Sequence, residues 1–356
     1  MSKTTPQTFG LLLLAGAGLV ATSGALPSDP PRSPAATLRP VAGTAVASQP
    51  LYDGAALGLP MRLAVAGDRL IVLDPLAAQA VHVLDARSGA LLESFGSRGD
   101  GPGEFRGPRS VDVLPGGDAF WVHDLNRQRS TLFSVDPPET TAYRHRETRL
   151  LNYEQGIGVF EPIHLGDREI LATGMFDKRL GHLDPQGRLI RASGALPPAP
   201  DGFSAEEIQF LHQGALQGTP ARDRFALASR VFTRVELFDR HGDSQGFVEA
   251  PVDLDPEISQ KTGFVTSGSP AGYIDLAVTD EAIYALFSGR DPQVFRDEAT
   301  YAEQVHVFRW NGDFVGAVDL DHDAIAIAVS SDGTELYTLR HYPAIEVRRQ
   351  ELPGPM

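Results

Sequence analysis

Residues 95–136 read FGSRGDGPGEFRGPRSVDVLPGGDAFWVHDLNRQRSTLFSVD. The opening, Gly96 to Gly107, holds Gly101-Pro102-Gly103, a combination that only a tight, non-helical turn accommodates. Ser110 to Leu114 follows as a strand, and Pro115-Gly116-Gly117-Asp118 reverses the chain as a hairpin turn. Ala119 to His123 is a second strand with Phe120, Trp121 and Val122 as its bulk. Asp124 to Arg127 turns again, and Ser130 to Val135 is a third strand. No helix fits between them, so the stretch is an antiparallel meander.

The pattern recurs in both directions along the chain. Second strands begin near positions 70, 120, 169, 224, 282 and 335. Third strands follow at Val81 to Asp85, Val235 to Asp239, Val305 to Phe308 and Ile345 to Val347. Fourth strands follow at Leu91 to Phe95, Leu189 to Ala192, Gly246 to Glu249 and Phe314 to Asp319. Four strands repeated six times predict an all-β fold, a six-bladed β-propeller of four-stranded antiparallel blades. A lone blade has two apolar faces and buries neither, whereas stacking around an axis covers both. The sixth unit ends after three strands. Residues 38–50, which include the alternating segment Leu38 to Ser48, are therefore expected to supply its fourth and close the ring, and the propeller is expected to span 38–352.

Lys3 is the only charge before Asp29, and it precedes an apolar run from Phe9 to Val20 and the small residues Ser23-Gly24-Ala25. That order reads as a signal peptide over 1–25. The run is shorter than the roughly 20 apolar residues of a membrane-spanning helix, so no transmembrane segment is expected in the mature chain. Residues 26–37 are rich in Pro, Ala and Ser and read as a flexible linker. The expected destination is the periplasm or the extracellular space. The 356-residue chain carries 31 basic and 46 acidic residues, a net charge of −15, which argues against nucleic acid as a partner. It has no cysteine, which excludes thiol catalysis.

The motif Gly99-Asp100-Gly101-Pro102-Gly103-Glu104-Phe105, with Pro108, Asp124, Asn126 and Arg129, resembles the repeat signature of NHL-type propellers. Ile283 to Arg290 and Val305 to Gly312 resemble the secreted bacterial six-bladed propellers of the TolB-like type. The resemblance implies the fold. It also suggests where chemistry would sit, because enzymes on six-bladed propellers place a metal on the axis with ligands drawn from several blades.

The acidic residues on predicted first strands are Asp112, Glu161 and Asp275, and Asp112 and Asp275 read as a matched axial pair. If they held a metal, their hard oxygens would favour calcium. The alternative reading has them capping strand amides. His82 and His306 share a Val-His-Val slot on third strands and read as structural repeats. No histidine pair has ligand spacing, and no Gly-x-Ser-x-Gly elbow is present.

One pattern lies outside the core. The turn between second and third strands carries Arg127, Arg179, Arg230, Arg290 and Arg340, and the loop into blade 2 adds Arg98, Arg106 and Arg109. Such a basic rim would steer an acidic small molecule, glycan or peptide segment, or a protein partner, to one face. The competing reading pairs each arginine with a nearby aspartate. The sequence thus predicts an exported binding propeller without catalysis, with a metal-dependent hydrolase or lyase as the alternative.

Overall fold

The computed structural model describes residues 41–136, 141–151, 158–199, 201–252, 256, 258, 270–290 and 301–353. The predicted signal peptide and linker lie outside them. Blade 1 consists of Arg62–Ala66, Arg69–Leu73, Gln79–Asp85 and Leu91–Ser97. Blade 2 is Pro108–Val113, Ala119–Asp124, Arg129–Ser134 and Arg144–Leu150, so the meander read from residues 95–136 is in place. Blade 3 is Val159–His164, Ile170–Gly174, Leu180–Leu183 and Leu189–Ser193. Blade 4 is Gly214–Gly218, Arg224–Ser229, Arg234–Asp239 and Ser244–Glu249. Blade 5 is Tyr273–Val278, Ala282–Phe287, Ala302–Arg309 and Phe314–Ala324, and blade 6 begins with Ala326–Val329, Glu335–Arg340 and Glu346–Glu351. The first strand of each blade touches the first strands of both neighbours, from blade 1 round to blade 6 and back, which makes these six the wall of the axial channel.

An N-terminal strand does complete the last blade, but the pairing falls later than the 38–48 segment. Gln49–Tyr52 runs antiparallel to Glu346–Glu351, with Gln49 opposite Arg349 and Tyr52 opposite Val347. Thr44–Val46, inside the expected segment, instead runs parallel to Phe314–Ala324 and gives blade 5 a fifth strand. Ser48 sits at the crossing. Its Oγ donates to Asp321 Oδ1 at 2.6 Å, its N–H donates to Asp321 Oδ2 at 3.1 Å, and Arg348 Nε donates to its Oγ at 2.7 Å. The N-terminal chain is therefore stitched to two blades.

The core lies between blades, as two-faced sheets require. Ile71, Leu73 and Val83 of blade 1 pack on Phe120, Val122 and Phe133 of blade 2. Leu171 and Leu180 of blade 3 pack on Leu216, Phe225 and Phe238 of blade 4, and matching layers join blades 4 to 5, 5 to 6 and 6 to 1. The seam between blades 2 and 3 is different. Trp121 stacks on His164 with centroids 4.1 Å apart, and the Arg149 guanidinium lies 4.6 Å from the Trp121 ring. His82 and His306 are both buried, His82 against Ser94 Oγ and His306 between Tyr273 and Gln304.

Candidate functional site

The geometry of the axis follows from strand register. In each blade one first-strand residue opposes the residue just before Asp74, Asp124, Gly174, Ser229, Phe287 or Arg340. These six equivalents are Arg62, Ser110, Glu161, Ala215, Asp275 and Ala326. Three of them are charged, and all three are buried. Burying charge is costly unless it is paired, so the pairing at this level matters.

Arg62 Nη2 donates to Glu161 Oε1 at 3.2 Å, joining blades 1 and 3. Arg109, next to Ser110, places its Nε 3.9 Å from the same Glu161 oxygen. Asp275 Oδ2 accepts the Ile327 N–H at 2.9 Å. Arg230 follows the second strand of blade 4, and its charge interacts with those of Arg109, Arg62, Glu161 and Asp275. No carboxylate of the described residues lies within ion-pair distance of Arg230. Among the described residues, three guanidiniums thus lie in one electrostatic cluster with two carboxylates at one end of the channel.

The proton affinities follow that imbalance. Burial depresses Arg230 most, and the like charges of Arg109 and Arg62 add to it, bringing its pKa down to about 9. Burial and Arg62 also lower Arg109. Arg62 is the exception: burial pulls it down, but Glu161 and Asp275 together raise it above the ordinary value. Burial raises the Asp275 carboxyl against the pull of Arg62 and the Ile327 N–H.

Arg109 is placed by the glycine-rich loop. The Asp124 carboxylate accepts the N–H groups of Arg106 at 2.6 Å and Gly107 at 3.1 Å, fixing the point where the loop enters the first strand. Arg129 closes the other side by donating to the Asp100 and Glu104 carbonyls. A Cβ on Gly107 would stand 2.3 Å from Asn126 Nδ2, so any other residue there would have to displace the Asn126 side chain. Asp74 does the same for blade 1 by accepting the Gly58 and Leu59 N–H groups.

Asp112 does not join this cluster. Register aligns Asp275 with Ser110, so Asp112 lies two residues further along the channel wall, about 7 Å at the usual rise of a strand. Its Oδ2 accepts the His164 N–H at 2.7 Å and faces His164 Nδ1 at 3.1 Å, while Oδ1 accepts from Arg222 Nη2. Burial pushes its carboxyl up, but Arg222 and His164 outweigh that and hold it below the usual range. The matched axial pair read from the sequence is thus a displaced pair, with each member tied to its own partners. Among the described residues no three His, Asp or Glu side chains converge as metal ligands.

The predicted arginine rim divides. Arg109 and Arg230 come together with Arg62, which the sequence reading missed although a charge inside the apolar strand Arg62–Ala66 was the available signal. Arg179 turns inward instead: it is fully buried, donates to Glu236 at 2.8 Å and to the His212 carbonyl, and ties blade 3 to blade 4. Arg127 pairs with Asp100 at 2.9 Å, Arg340 with Glu346 at 2.7 Å, and Arg290 with Asp323 and with Glu303. Arg98 is exposed, and its backbone bridges to Phe105.

Comparison with known proteins bears on this frame. The profile of a family described as TolB-like 6-blade propeller-like matches residues 40–332. No curated protein matches the sequence. A Bacteroides fragilis NCTC 9343 protein described as exported, BF0058, is similar in structure at a TM-score of 0.57 and 11% identity, over 87% of this chain and 95% of that one. The RRP9 WD40 repeats are similar at a TM-score of 0.52 and 11% identity, over 88% of this chain and 100% of that one. At these identities the two structures speak for the fold alone. No helix among the described residues is long and apolar enough to cross a membrane.

Proposed function

The chain belongs to the TolB-like six-bladed propeller family, and from that premise we propose that it is an exported protein that binds a ligand through one face of the ring without catalysis. One observation carries the reading: at one end of the axis the charges of Arg62, Arg109 and Arg230 interact with only two carboxylates among the described residues. A surplus guanidinium in a partly desolvated channel costs stability and attracts an anion, which is how a receiving site differs from a structural ion pair. The ligand is an acidic small molecule or the acidic end of a glycan or peptide. Both axial carboxylates are engaged, Glu161 by Arg62 and Arg109 and Asp275 by the Ile327 N–H, which supports binding over general acid–base chemistry.

The charge pattern before Asp29 supports export. Thermal-shift screening of the purified protein against neutral, cationic and anionic compounds tests the binding reading. Anionic compounds should raise the melting temperature, and the shift should shrink as salt rises. Stabilisation confined to neutral compounds would contradict it.

A further inference from the structure

We propose that a cavity at the ends of the outer strands of blade 4 binds a sugar unit through its hydroxyl groups. The cavity measures about 450 Å³, within the range of small-molecule sites. His212, Arg234 and Glu249 line it, together with Phe232, Pro251 and Val252. Local structure places each part. His212 closes the short helical turn Gln209–His212, which Gln209 anchors to blade 3 by donating from Nε2 to the Phe176 carbonyl at 2.7 Å. Phe232 sits in the turn after the second strand, where its N–H donates to Ser229 Oγ at 3.2 Å. The Ala250 N–H donates to the Thr233 carbonyl at 2.9 Å, which holds the end of the fourth strand beside the start of the third.

His212 is the residue that calls for a ligand. It is 3% exposed, its ring stacks on Phe232 with centroids 4.4 Å apart, and neither ring nitrogen meets a hydrogen-bond partner among the described residues. Buried polar groups are normally bonded, and a bond left unmade costs stability. Burial, and after it the cations Arg179 and Arg234, keep the imidazole neutral. A neutral imidazole offers one donor and one acceptor, and a hydroxyl group can satisfy either. Arg234 and Glu249 stand side by side at 3.4 Å, a forked donor next to a carboxylate acceptor, and the Phe247 ring backs the Arg234 guanidinium at 3.9 Å. Adjacent hydroxyls on a sugar ring match that alternation of donor and acceptor. Phe232, Pro251 and Val252 offer apolar surface to the C–H face of the same ring. Outer strands build this site and first strands build the axial cluster, so the two stand or fall separately.

Saturation-transfer NMR with glucose, galactose, mannose and N-acetylglucosamine tests the site, with cyclohexanol as a ring that has a single hydroxyl. At least one sugar should bind wild type, and cyclohexanol should not. His212→Phe keeps the stacked ring and removes both nitrogens. It should leave the melting temperature unchanged or higher and weaken sugar binding about tenfold. Glu249→Ala, at the exposed rim, should weaken binding with no change in melting temperature. The proposal is overturned if none of the four sugars binds, if cyclohexanol binds as well as they do, or if both variants bind sugar like wild type. Should His212→Phe fail to fold, Glu249→Ala decides: a loss of affinity supports the site and an unchanged affinity overturns it.

Discussion

Arg62 and Glu161 meet at 3.2 Å across the channel although a whole blade separates their strands in the chain. That pair shapes the balance of the axis, because it uses the carboxylate that Arg109 also approaches, and no carboxylate among the described residues stands at ion-pair distance from Arg230. Two substitutions in one cluster should therefore act in opposite directions. Glu161→Gln strands the buried Arg62 guanidinium and the half-buried Arg109, and should cost about 3 kcal/mol. Arg230→Gln removes an unpaired charge and should leave stability unchanged or raise it by about 1 kcal/mol, the trade expected of a binding residue. Urea unfolding of both variants checks this, and a loss in Arg230→Gln as large as in Glu161→Gln would show that Arg230 is structural.

Arg230 also gives the alkaline side of the stability curve a sign. A cation whose folded pKa is depressed to about 9 weakens the fold wherever it stays charged in the folded state. That penalty is fully present below about 9 and is relieved as pH rises toward the unfolded value. Between pH 9 and 10, wild type should lose less stability than Arg230→Gln, as measured by urea midpoints.

The acid side is governed by buried histidines. Burial lowers His123 and His306 to about 4 and His212 to about 3, and it lowers His82, His164 and His322 as well. A base with a depressed folded pKa contributes stability that is present above its unfolded value and lost as pH falls toward the folded one. The melting temperature should therefore drop steadily from pH 7 to pH 4. A flat profile over that window would mean that these rings are not held neutral.

Arg179 tests the opposite case, a buried cation that meets a carboxylate. It is fully buried against Glu236 between blades 3 and 4. Arg179→Ala leaves Glu236 buried and unpaired, and should cost about 3–5 kcal/mol with no change in anion binding at the axis. Loss of anion binding in a variant that stays folded would join Arg179 to the site.

Ring closure can be divided by truncation. Removal of residues through 47 takes away Thr44–Val46, the outer parallel strand of blade 5, and should cost little. Extending the deletion through Tyr52 uncovers the strand Glu346–Glu351, including the fully buried Val347, and should cost several kcal/mol more. Equal melting temperatures for the two truncations would remove Gln49–Tyr52 from the closing role.

Much of the fold was legible because a blade is a local object. Turn chemistry at Pro115 to Asp118 and the bulk at Phe120 to Val122 specify strands without reference to the rest of the chain. The site was less legible, since Arg62, Glu161 and Asp275 become neighbours only when the ring closes. Asp112 and Asp275 look equivalent when strands are aligned by their beginnings. Counted from the hairpin, Asp112 is one residue before the strand end and Asp275 is three, which puts them at different depths. Arginines after the second strands look alike in sequence, yet Arg179 meets an acid on the next blade and Arg230 meets none among the described residues.

The most direct test is where an anion sits. Anomalous diffraction from crystals soaked in sodium bromide would locate one without assuming its identity. A bromide bound among the guanidiniums of Arg62, Arg109 and Arg230, and absent from crystals of Arg230→Gln, is the expected result. Bromide sites confined to the outer surface, with none at the axis, would contradict the account.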